Sequence, residues 1–372
     1  MSAEWDDVRI NYIMMGVDLT GGVRVLFEIA NGLVNKGHQV TITALGEENG
    51  HSWFPLHANI DYARKAGFFH EAILHYRLKK AFGIDPSTFP GPELTLLTDA
   101  NPDCDINVAT YCFTAYSAIA AQKGVAFYHM QHYEPLFFED EYVQRISERT
   151  YHLPLNKIAN SKWLKNLLKE KYGYDVPVVN PAVQHDVFYP RTVENETNSK
   201  YILGFGKQKR IKGFPEALKA FKSVARQKPD IKLKAYGTMK PTCESDIPFE
   251  FIKSPSDEEL AHLYSSAELM ICPSWYESFP LFPLEAMACG CPVVTTPYGT
   301  EDYAFHEDNC LVVPPKDPER LAGAVLRLLE DEDLRERFKR EGPRTAKKFT
   351  WDRTIDAVEG LFKKTLRSSD GH

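Results

Sequence analysis

Two glutamates bracket a proline-containing turn in the stretch SWYESFPLFPLEAMACGCPVVTT, residues 274–296. Glu277 and Glu285 are separated by seven residues and follow the apolar run LMICPS, which predicts a strand. A carboxylate accepts hydrogen bonds from hydroxyl groups, and each such charge-assisted bond contributes roughly 1.5–3 kcal/mol. The two acids are therefore candidates to bind one vicinal diol each. The alternative is that Glu285 only complements a helix dipole and that Glu277 is solvated.

A helix that begins inside the same stretch adds a second binding capacity. Pro283 suits the first position of a helix over PLEAMACG, because a residue there makes no intrahelical use of an N–H group. Glu285 is then expected in the first turn, and the neighbouring N–H groups at the helix start can hold an anion. Diol acceptors beside an anion subsite are the chemical complement of a nucleotide sugar.

A basic loop follows the apolar run KYILGFG in the second half of the chain. Lys207, Arg210 and Lys212 occur within six positions, and Gly213 and a predicted helix follow them. Positive side chains directly after a strand suit a diphosphate. A solvated basic turn explains the same pattern, so the loop alone does not decide between the two interpretations.

Strands and helices alternate in both halves of the chain. The predicted strands are, in order, VRINYIMM, HQVTITALG, DINVAT, VAFYHMQ and KIANS, and then KYILGFG, IKLKAYG, LMICPS and CPVVTT. Between the two sets, VPVVNPAVQHDVFYP is extended and ETNSK is polar, which indicates a linker. The pattern predicts an α/β protein with two Rossmann-like, doubly wound domains, residues 1–180 and 181–349. A long amphipathic helix at 350–370 is expected to pack back on the first domain.

Open parallel sheets bind ligands beyond the carboxyl ends of their strands. The acidic stretch and the basic loop both follow strands, and so does a glycine pair in the first half. Gly21 and Gly22 are expected between the first strand and its helix, where the absent Cβ atoms let the backbone approach a ligand.

Composition and charge disfavour several classes of protein. The 372 residues are 43% apolar and 26% charged, as in ordinary globular proteins, and the net charge of −7 does not favour nucleic acid as a partner. The seven cysteines form no CxxC pair and show no zinc-like spacing with histidine, so we expect reduced thiols in the cytoplasm. No apolar run reaches about 18 residues, so a membrane-spanning helix is not expected.

Together these motifs resemble the retaining, nucleotide-sugar-dependent glycosyltransferases of the GT-B fold, family 4, also called group 1. The E-x7-E signature followed by EAMACGCPVV is the specific part. The resemblance extends over essentially the whole chain through the glycine pair, KIANSKWLK, the linker and LVVPPKDPERLAGAV. It implies two Rossmann-like domains that face each other across a cleft, with the donor mainly against the second domain and the acceptor against the first.

The resemblance also implies roles for the acidic and basic residues. Glu277 is expected to hold hydroxyl groups of the donor sugar, and Glu285 those of the ribose. Lys207 and Lys212 correspond to an Arg and a Lys that bind the diphosphate in the family. Because Lys207 lacks the bidentate fork of a guanidinium group, Arg210 is expected to share this work.

A second departure from the family is Pro280, where many relatives have Gly. Proline has no N–H group to donate to the ligand, so the amides of Leu281 and Phe282 are the remaining donors. The expected donor-binding residues are Gly21, Gly22, Arg210, Ser278, Phe279, Leu281 and Glu285. The expected catalytic residues are His132, Lys207, Lys212 and Glu277.

The family places a His or an Asp beside the reacting sugar, at the end of the strand that corresponds to VAFYHMQ. His132 fits this position best, and His129 is the rival. For His129, a packed core histidine is the favoured interpretation.

The implied activity is retaining transfer of a hexosyl or related group from a nucleotide-diphosphate sugar to a glycan, lipid-linked or small-molecule acceptor. No metal and no cofactor besides the donor are expected. Asp103 and Asp105 match the Asp-x-Asp pair of metal-dependent glycosyltransferases of the other major fold, but they precede a strand, which favours a loop or capping role. The alternatives are a nucleotide-sugar epimerase of the same fold, which the E-x7-E signature disfavours, and a non-catalytic nucleotide-sugar-binding protein.

The expected partners are the nucleotide sugar and a glycosyl acceptor, without nucleic acid, and the oligomeric state is left open. The predicted helix at 67–83 is apolar on one side and basic on the other. This is typical of an ordinary amphipathic helix, and a peripheral contact with the inner face of the membrane is the minority alternative. The expected location is therefore the cytoplasm.

Overall fold

The computed structural model describes residues 7–46, 51–63, 78–84, 90–192, 200–242 and 247–369. The chain divides into two compact units: residues 1–160, 164–180 and 351–372 form the first, and residues 161–163 and 181–350 form the second. Each unit contains a six-stranded parallel sheet, which confirms the predicted α/β class with two doubly wound sheets. Most of the predicted helix at 67–83 and of the polar segment ETNSK lies outside the described residues.

The first unit has the strand order β3-β2-β1-β4-β5-β6. The chain moves outward from β1 to β3 and then returns to the other side of β1, so the order reverses between β1 and β4. Its elements are β1 Arg9–Met14, α1 Gly21–Asn35, β2 Gln39–Ala44, β3 Asn59–Tyr62, α2 Gly91–Asp99, β4 Ile106–Ala109, α3 Cys112–Ala121, β5 Val125–Met130, α4 Glu141–Arg149, β6 Asn156–Ala159 and α5 Lys162–Tyr172. Short 3-10 turns cover Glu134–Phe137 and Thr150–His152.

The second unit repeats this topology with the order β12-β11-β10-β7-β8-β9, and its reversal lies between β7 and β10. Its elements are β7 Tyr201–Phe205, α6 Phe214–Gln227, β8 Lys232–Gly237, β9 Glu250–Lys253, α7 Asp257–Ser266, β10 Leu269–Cys272, α8 Leu281–Ala288, β11 Val293–Thr295, β12 Leu311–Val312, α9 Pro318–Glu330 and α10 Glu332–Ala346. The last helix, α11 Trp351–Ser369, belongs to the first unit.

The continuous apolar strands of the second sheet explain why it is covered on both faces. All four residues of β10 are buried, and alternate residues of β7 enter two separate core clusters. Ile202 packs with α6 and α9, whereas Tyr201 and Leu203 pack with α7 and α8. A parallel strand with apolar side chains on both sides is stable only between two helical layers.

Two helices begin earlier than the sequence predicted. The helix α1 starts at Gly21, because the Thr20 side chain caps it by accepting from the Val23 N–H group at 3.2 Å. Gly21 and Gly22 are therefore the first two residues of α1 and not part of the preceding loop. The glycine pair still follows β1, but its N–H groups belong to a helix start.

The helix α8 starts at Leu281, so the prediction that Pro283 is its first residue is wrong. Pro283 is the third residue and Glu285 the fifth, which places Glu285 beyond the first turn. The physical reason is that the N–H groups of the whole first turn have no intrahelical partner, so a proline is tolerated at any of these positions. Leu281 and Phe282 consequently provide the first helical amides.

The C-terminal helix α11 packs against α1 and the turn between α1 and β2 through a cluster of charges around Glu359. Its carboxylate accepts from Lys36 at 3.0 Å and lies 3.1 Å from His38 Nε2 and 2.6 Å from Lys363 Nζ. Burial opposes ionisation, but hydrogen bonds from these three residues outweigh it and lower the pKa of Glu359 to about 2. In the described part of the chain, every helix is too short or too polar for a membrane span.

Close approach of α1 and α11 requires a glycine, and this generates a first prediction. A Cβ atom at Gly32 would lie 2.0 Å from Ile355 Cδ1, so Gly32→Ala forces either the Ile355 side chain or α11 to shift. We expect a loss of about 1–3 kcal/mol in the free energy of unfolding, measured by urea denaturation. Gly360→Ala is the matched control, because nothing lies within 4 Å of its Cβ position and alanine favours a helix. Equal stabilities of the two variants would contradict this packing.

Candidate functional site

The basic loop and the acidic stretch flank the reversal of strand order in the second unit. The basic loop follows β7, and the acidic stretch follows β10, which pairs with β7 in parallel. Both loops therefore leave the carboxyl edge of the sheet next to each other. In open α/β sheets this point is where ligands bind.

A partly buried ion pair joins the two loops. Lys212 Nζ lies 2.7 Å from both Oε1 and Oε2 of Glu277, and the Ser274 hydroxyl donates to Oε1 at 2.8 Å. The side chains are only 19% and 8% exposed for Lys212 and Glu277, respectively. The interpretation of Glu277 as a solvated acid is thus wrong. Ser274 is a further member of the site, and no sequence motif indicated it.

Gly213 allows the basic loop to approach the acidic stretch, and Gly299 allows the loop after β11 to approach the same stretch. Gly213 has φ +69°, and a Cβ atom there would lie 2.0 Å from the Pro273 carbonyl oxygen. Gly299 has φ +82°, and its Cβ atom would lie 2.3 Å from the Glu277 carbonyl oxygen. Only glycine tolerates both the left-handed backbone and the contact. The backbone N–H group of Trp275 also donates to the Ile211 carbonyl oxygen at 2.8 Å, which holds the basic loop and the acidic stretch together.

Further cations surround the ion pair. Desolvation and the charge of Lys212 lower the pKa of Lys207, and the Glu277 carboxylate offsets part of this effect. Desolvation and the charges of Lys212 and Lys207 also lower the pKa of Lys209, and Glu277 again offsets part of the effect. Mutual repulsion of ammonium groups at one edge favours an anionic ligand between them. Lys209 lies inside the predicted basic loop, so its charge alone was enough to identify it from the sequence.

Two other cations lie over one indole ring. The Arg210 guanidinium is 5.3 Å from the centre of a Trp275 ring, and Lys316 Nζ is 4.1 Å from one. Each contact is worth about 0.5–1 kcal/mol at an exposed site. Arg210 thus contacts the acidic stretch through Trp275, and its role in binding a diphosphate stays a prediction. Lys316 is far from the motif in sequence, and no local signal indicated it.

The remaining predicted residues of the acidic stretch have different environments. Glu285 is 8% exposed, and its charge contributes, after burial, to raising the pKa of Tyr236 and Tyr264. Ser278 Oγ lies 3.3 Å from Ser161 Oγ.

The Phe279 side chain is part of the core, with its ring centre 5.3 Å from that of Tyr303 and 5.6 Å from that of Phe349. A donor contact of Phe279 would therefore have to use its backbone.

The predicted residues of the first unit lie around the end of β5. His129 is inside this strand and 1% exposed, and burial lowers its pKa to about 4, so it is an uncharged core residue. His132 lies two residues beyond the strand, 9% exposed, with its ring 4.3 Å from that of Phe137. A Cβ atom at Gly22 would meet Gln131 Oε1 at 3.3 Å, which brings the start of α1 close to the same strand end.

The Asp-x-Asp pair forms surface ion pairs. Arg9 Nη2 lies 2.7 Å from Asp105 Oδ1, and Asp103 pairs with Lys123. These contacts, with Arg9 and Lys123 as the largest favourable causes, lower the pKa of both carboxyl groups. Over the described ranges, no group of three or more His, Cys, Asp or Glu side chains could hold a metal ion.

Comparison with known proteins supports the resemblance inferred from the motifs. The family model described as "Glycosyl transferases group 1" matches residues 189–345. A D-inositol 3-phosphate glycosyltransferase of Corynebacterium urealyticum is 29% identical over 223 residues, 51% of this chain and 53% of the relative. An uncharacterized glycosyltransferase of Methanocaldococcus jannaschii is 28% identical over 50% of each chain. The chain thus spans about half the length of these curated relatives. The group 1 resemblance is confirmed, and assignment to the retaining family 4 stays a prediction.

Solved structures match over almost the full length. Sucrose-phosphate synthase from Thermosynechococcus elongatus aligns with a TM-score of 0.73 and 17% identity, covering 97% of this chain and 100% of the other. The Anabaena protein HepE, solved in complex with UDP-glucose, aligns with a TM-score of 0.74 and 15% identity, covering 97% and 100%. At these identities the likeness shows the fold alone, and it confirms the GT-B assignment.

The ion pair between the loops generates a second prediction. We expect a double-mutant cycle with Lys212→Met and Glu277→Gln to give a coupling free energy of about 1–3 kcal/mol in urea unfolding, because each single change leaves the other group buried and unpaired. The matched control is Lys339 and Glu336, 2.8 Å apart but 47% and 58% exposed, with an expected coupling of about 0.5 kcal/mol or less. Equal coupling in the two cycles would show that the loops do not meet as described.

Proposed function

We propose, from the match of residues 189–345 to the group 1 glycosyl transferases, that this chain transfers a sugar from a nucleotide-diphosphate sugar to a hydroxyl group of an acceptor. The acceptor is a glycan, a lipid-linked molecule or a small molecule, and the anomeric configuration is retained. The donor binds the second unit. The cytoplasm remains the expected location.

The observation that carries this proposal is the contact between the basic loop and the acidic stretch. Two segments 65 residues apart in sequence, one predicted for a diphosphate and one for diols, meet through Lys212 and Glu277. They do so at the reversal of strand order, where this class of sheet binds ligands. A solvated basic turn and a solvated loop acid would have no reason to converge.

The cations act on the leaving group. Negative charge grows on the diphosphate as the glycosidic bond breaks, so Lys207 and Lys212 stabilise the transition state more than the bound donor. Glu277 holds the Lys212 ammonium group in place before the donor arrives, with both carboxylate oxygens at 2.7 Å. Such preorganisation avoids reorienting a flexible lysine during the reaction.

Glu277 retains capacity for the sugar. A carboxylate has about four lone-pair directions. Lys212 occupies one on each oxygen, and Ser274 occupies one more on Oε1. One direction on Oε2 remains for a sugar hydroxyl. Glu277 is therefore proposed to bind a single hydroxyl while it orients the lysine.

Glu285 and the start of α8 complete the proposed donor site. Glu285 accepts from the ribose hydroxyls, and the first helical amides of Leu281 and Phe282 face the diphosphate. His132 is proposed as a catalytic residue, and the N–H groups of Gly21 and Gly22 at the start of α1 are proposed as further substrate-binding groups.

Metal is not required in this proposal. The positions assigned to the diphosphate carry Lys207, Lys209, Arg210 and Lys212, whose charges repel a divalent cation. The lysines supply the charge neutralisation that a metal ion provides in other transferases. Asp103 and Asp105 are paired with basic side chains of their own.

A panel of nucleotide sugars tests the proposal. UDP-glucose is the first member, because HepE was solved with it, and inositol phosphate is one acceptor, because the curated relative is named for it. We expect nucleoside diphosphate release from one donor only when an acceptor is present, unchanged in excess chelator, with retention seen by NMR of the product. Conversion without acceptor would indicate an epimerase. Loss of activity in chelator, restored by Mg²⁺ or Mn²⁺, would overturn metal independence.

Removal of the Glu285 carboxylate, the proposed hydrogen-bond acceptor for the ribose hydroxyls, should weaken binding of the nucleotide itself. We expect Glu285→Ala to reduce the affinity for the free nucleoside diphosphate by about 10- to 150-fold in calorimetry, because one charge-assisted interaction is lost. Glu319→Ala is the matched control, since Glu319 also lies near a helix start but on α9. Unchanged affinity in the Glu285 variant would refute its assignment to the ribose.

A further inference from the structure

Glu134 is a buried carboxyl group that the proposed reaction does not use. It is 1% exposed and lies two residues after His132. The Tyr128 hydroxyl donates to Glu134 Oε2 at 2.9 Å, and the Tyr151 hydroxyl donates to the same oxygen at 2.6 Å. Within the described part of the chain, no lysine or arginine pairs with this carboxyl group.

Tyr151 also contacts the backbone on both sides of the turn that carries His132. The Glu134 N–H group donates to Tyr151 Oη at 3.2 Å. The Tyr151 hydroxyl also lies 3.3 Å from the His132 carbonyl oxygen. Tyr151 thus connects the carboxyl group of Glu134 with the peptide unit of His132. The histidine ring meanwhile packs on Phe137, in the 3-10 turn that begins at Glu134.

The carboxyl group costs stability at this position. Burial raises the pKa of Glu134 from 4.5 to about 7, although hydrogen bonds from Tyr151 and Tyr128 oppose the shift. Because the pKa of Glu134 is higher in the folded chain than in the unfolded one, ionisation of the carboxyl group lowers the stability of the fold. The stability is fully present below about pH 4.5 and is lost as pH rises through about 7. Glutamine has nearly the same shape and could accept from both hydroxyls without this loss. A destabilising ionisable group beside a candidate catalytic residue indicates a functional purpose.

The titratable side chains that face Glu134 are neutral near pH 7. They are Tyr128 on β5, Tyr151 in the second 3-10 turn, and Tyr111 and Cys112 at the start of α3. Burial is the largest cause that raises the pKa of each, and the Glu134 charge adds to it. Glu134 is therefore the group in this set that titrates in the neutral range.

We propose that Glu134 is a positioning residue that, through Tyr151, holds His132 in its working orientation when its carboxyl group is ionised. The physical reason is that hydrogen bonds to a carboxylate are about twice as strong as those to a neutral acid. Protonation weakens the bonds from both tyrosines and loosens the turn. The proposal rests on the proposed role of His132.

The pH dependence of transfer tests the inference. For the wild type we expect kcat to fall about tenfold from pH 8 to pH 6, as the ionised fraction falls from roughly 0.9 to roughly 0.1. Glu134→Gln should give a kcat that is flat over this range, with an unchanged KM for the donor. A variant that keeps the wild-type slope would overturn the proposal.

Glu148→Gln provides the matched control. Glu148 accepts from Tyr172 at 2.5 Å and from Tyr133 at 3.1 Å, and the rings of these two tyrosines stack on Tyr151. It pairs with Lys171 at the surface and makes no contact with the His132 peptide among the described bonds. We expect this variant to keep the wild-type pH profile, which separates a specific effect of Glu134 from a general effect of removing an acid near the tyrosines.

An NMR titration decides the question without enzymatic activity. The His132 ring signal, assigned by its absence in His132→Ala, should show a pH dependence that Glu134→Gln displaces and Glu148→Gln keeps. Identical His132 titrations in wild type and Glu134→Gln would overturn the inference. If the wild type uses no nucleotide sugar, the proposed function fails while this readout still applies. If Glu134→Gln does not fold, Tyr151→Phe serves instead, with a displaced His132 signal expected.

Discussion

A lysine and a glutamate from the ends of two adjacent strands share an ion pair that is largely removed from solvent, and the second unit's candidate site is built around it. Isolated, either charge would be costly to bury. Lys212 and Glu277 offset that cost with two contacts of 2.7 Å, and Ser274 satisfies a further lone pair. The pair therefore forces the basic loop and the acidic stretch to adopt one mutual arrangement.

This close approach of the loops requires glycine at two positions. Gly213 and Gly299 each occupy a left-handed conformation with a carbonyl oxygen where a Cβ atom would be. The Thr296 hydroxyl adds a bond of 2.6 Å to the Ser274 carbonyl, so the loop after β11 is fixed as well. Loops held in this way at a sheet edge form a rigid frame. Arg210 and Lys316 are exposed by contrast, and their contacts with Trp275 are weaker and more easily screened by salt.

In the first unit, burial acts in opposite directions on two groups only five residues apart. It lowers the pKa of His129 to about 4 and raises that of Glu134 to about 7, because in both cases the charged form is disfavoured. The consequences differ. His129 is neutral throughout the physiological range and serves packing, whereas Glu134 changes charge within it. The neighbouring His132 thus lies between a fixed strand and a segment whose hydrogen bonds depend on pH.

The sequence by itself determined the class of fold and the location of the two motifs. Apolar runs alternating with amphipathic segments specify parallel strands covered on both faces, and charge clusters directly after those runs must lie at a carboxyl edge. Helix starts were less well determined, as α8 shows, since a proline is compatible with every position of a first turn. Glu277 illustrates a further limit, because a carboxylate in a loop has no local signal for burial.

Only the tertiary structure decided which of these residues meet. Lys212 and Glu277 are 65 positions apart, Lys316 reaches Trp275 from a different loop, and Tyr151 closes over Glu134 from beyond α4. Burial, distance and the resulting pKa values depend on such non-local contacts, which composition and spacing do not encode. The sequence therefore specified the chemistry available at each strand end, and folding decided which groups are paired, which are neutral and which remain exposed.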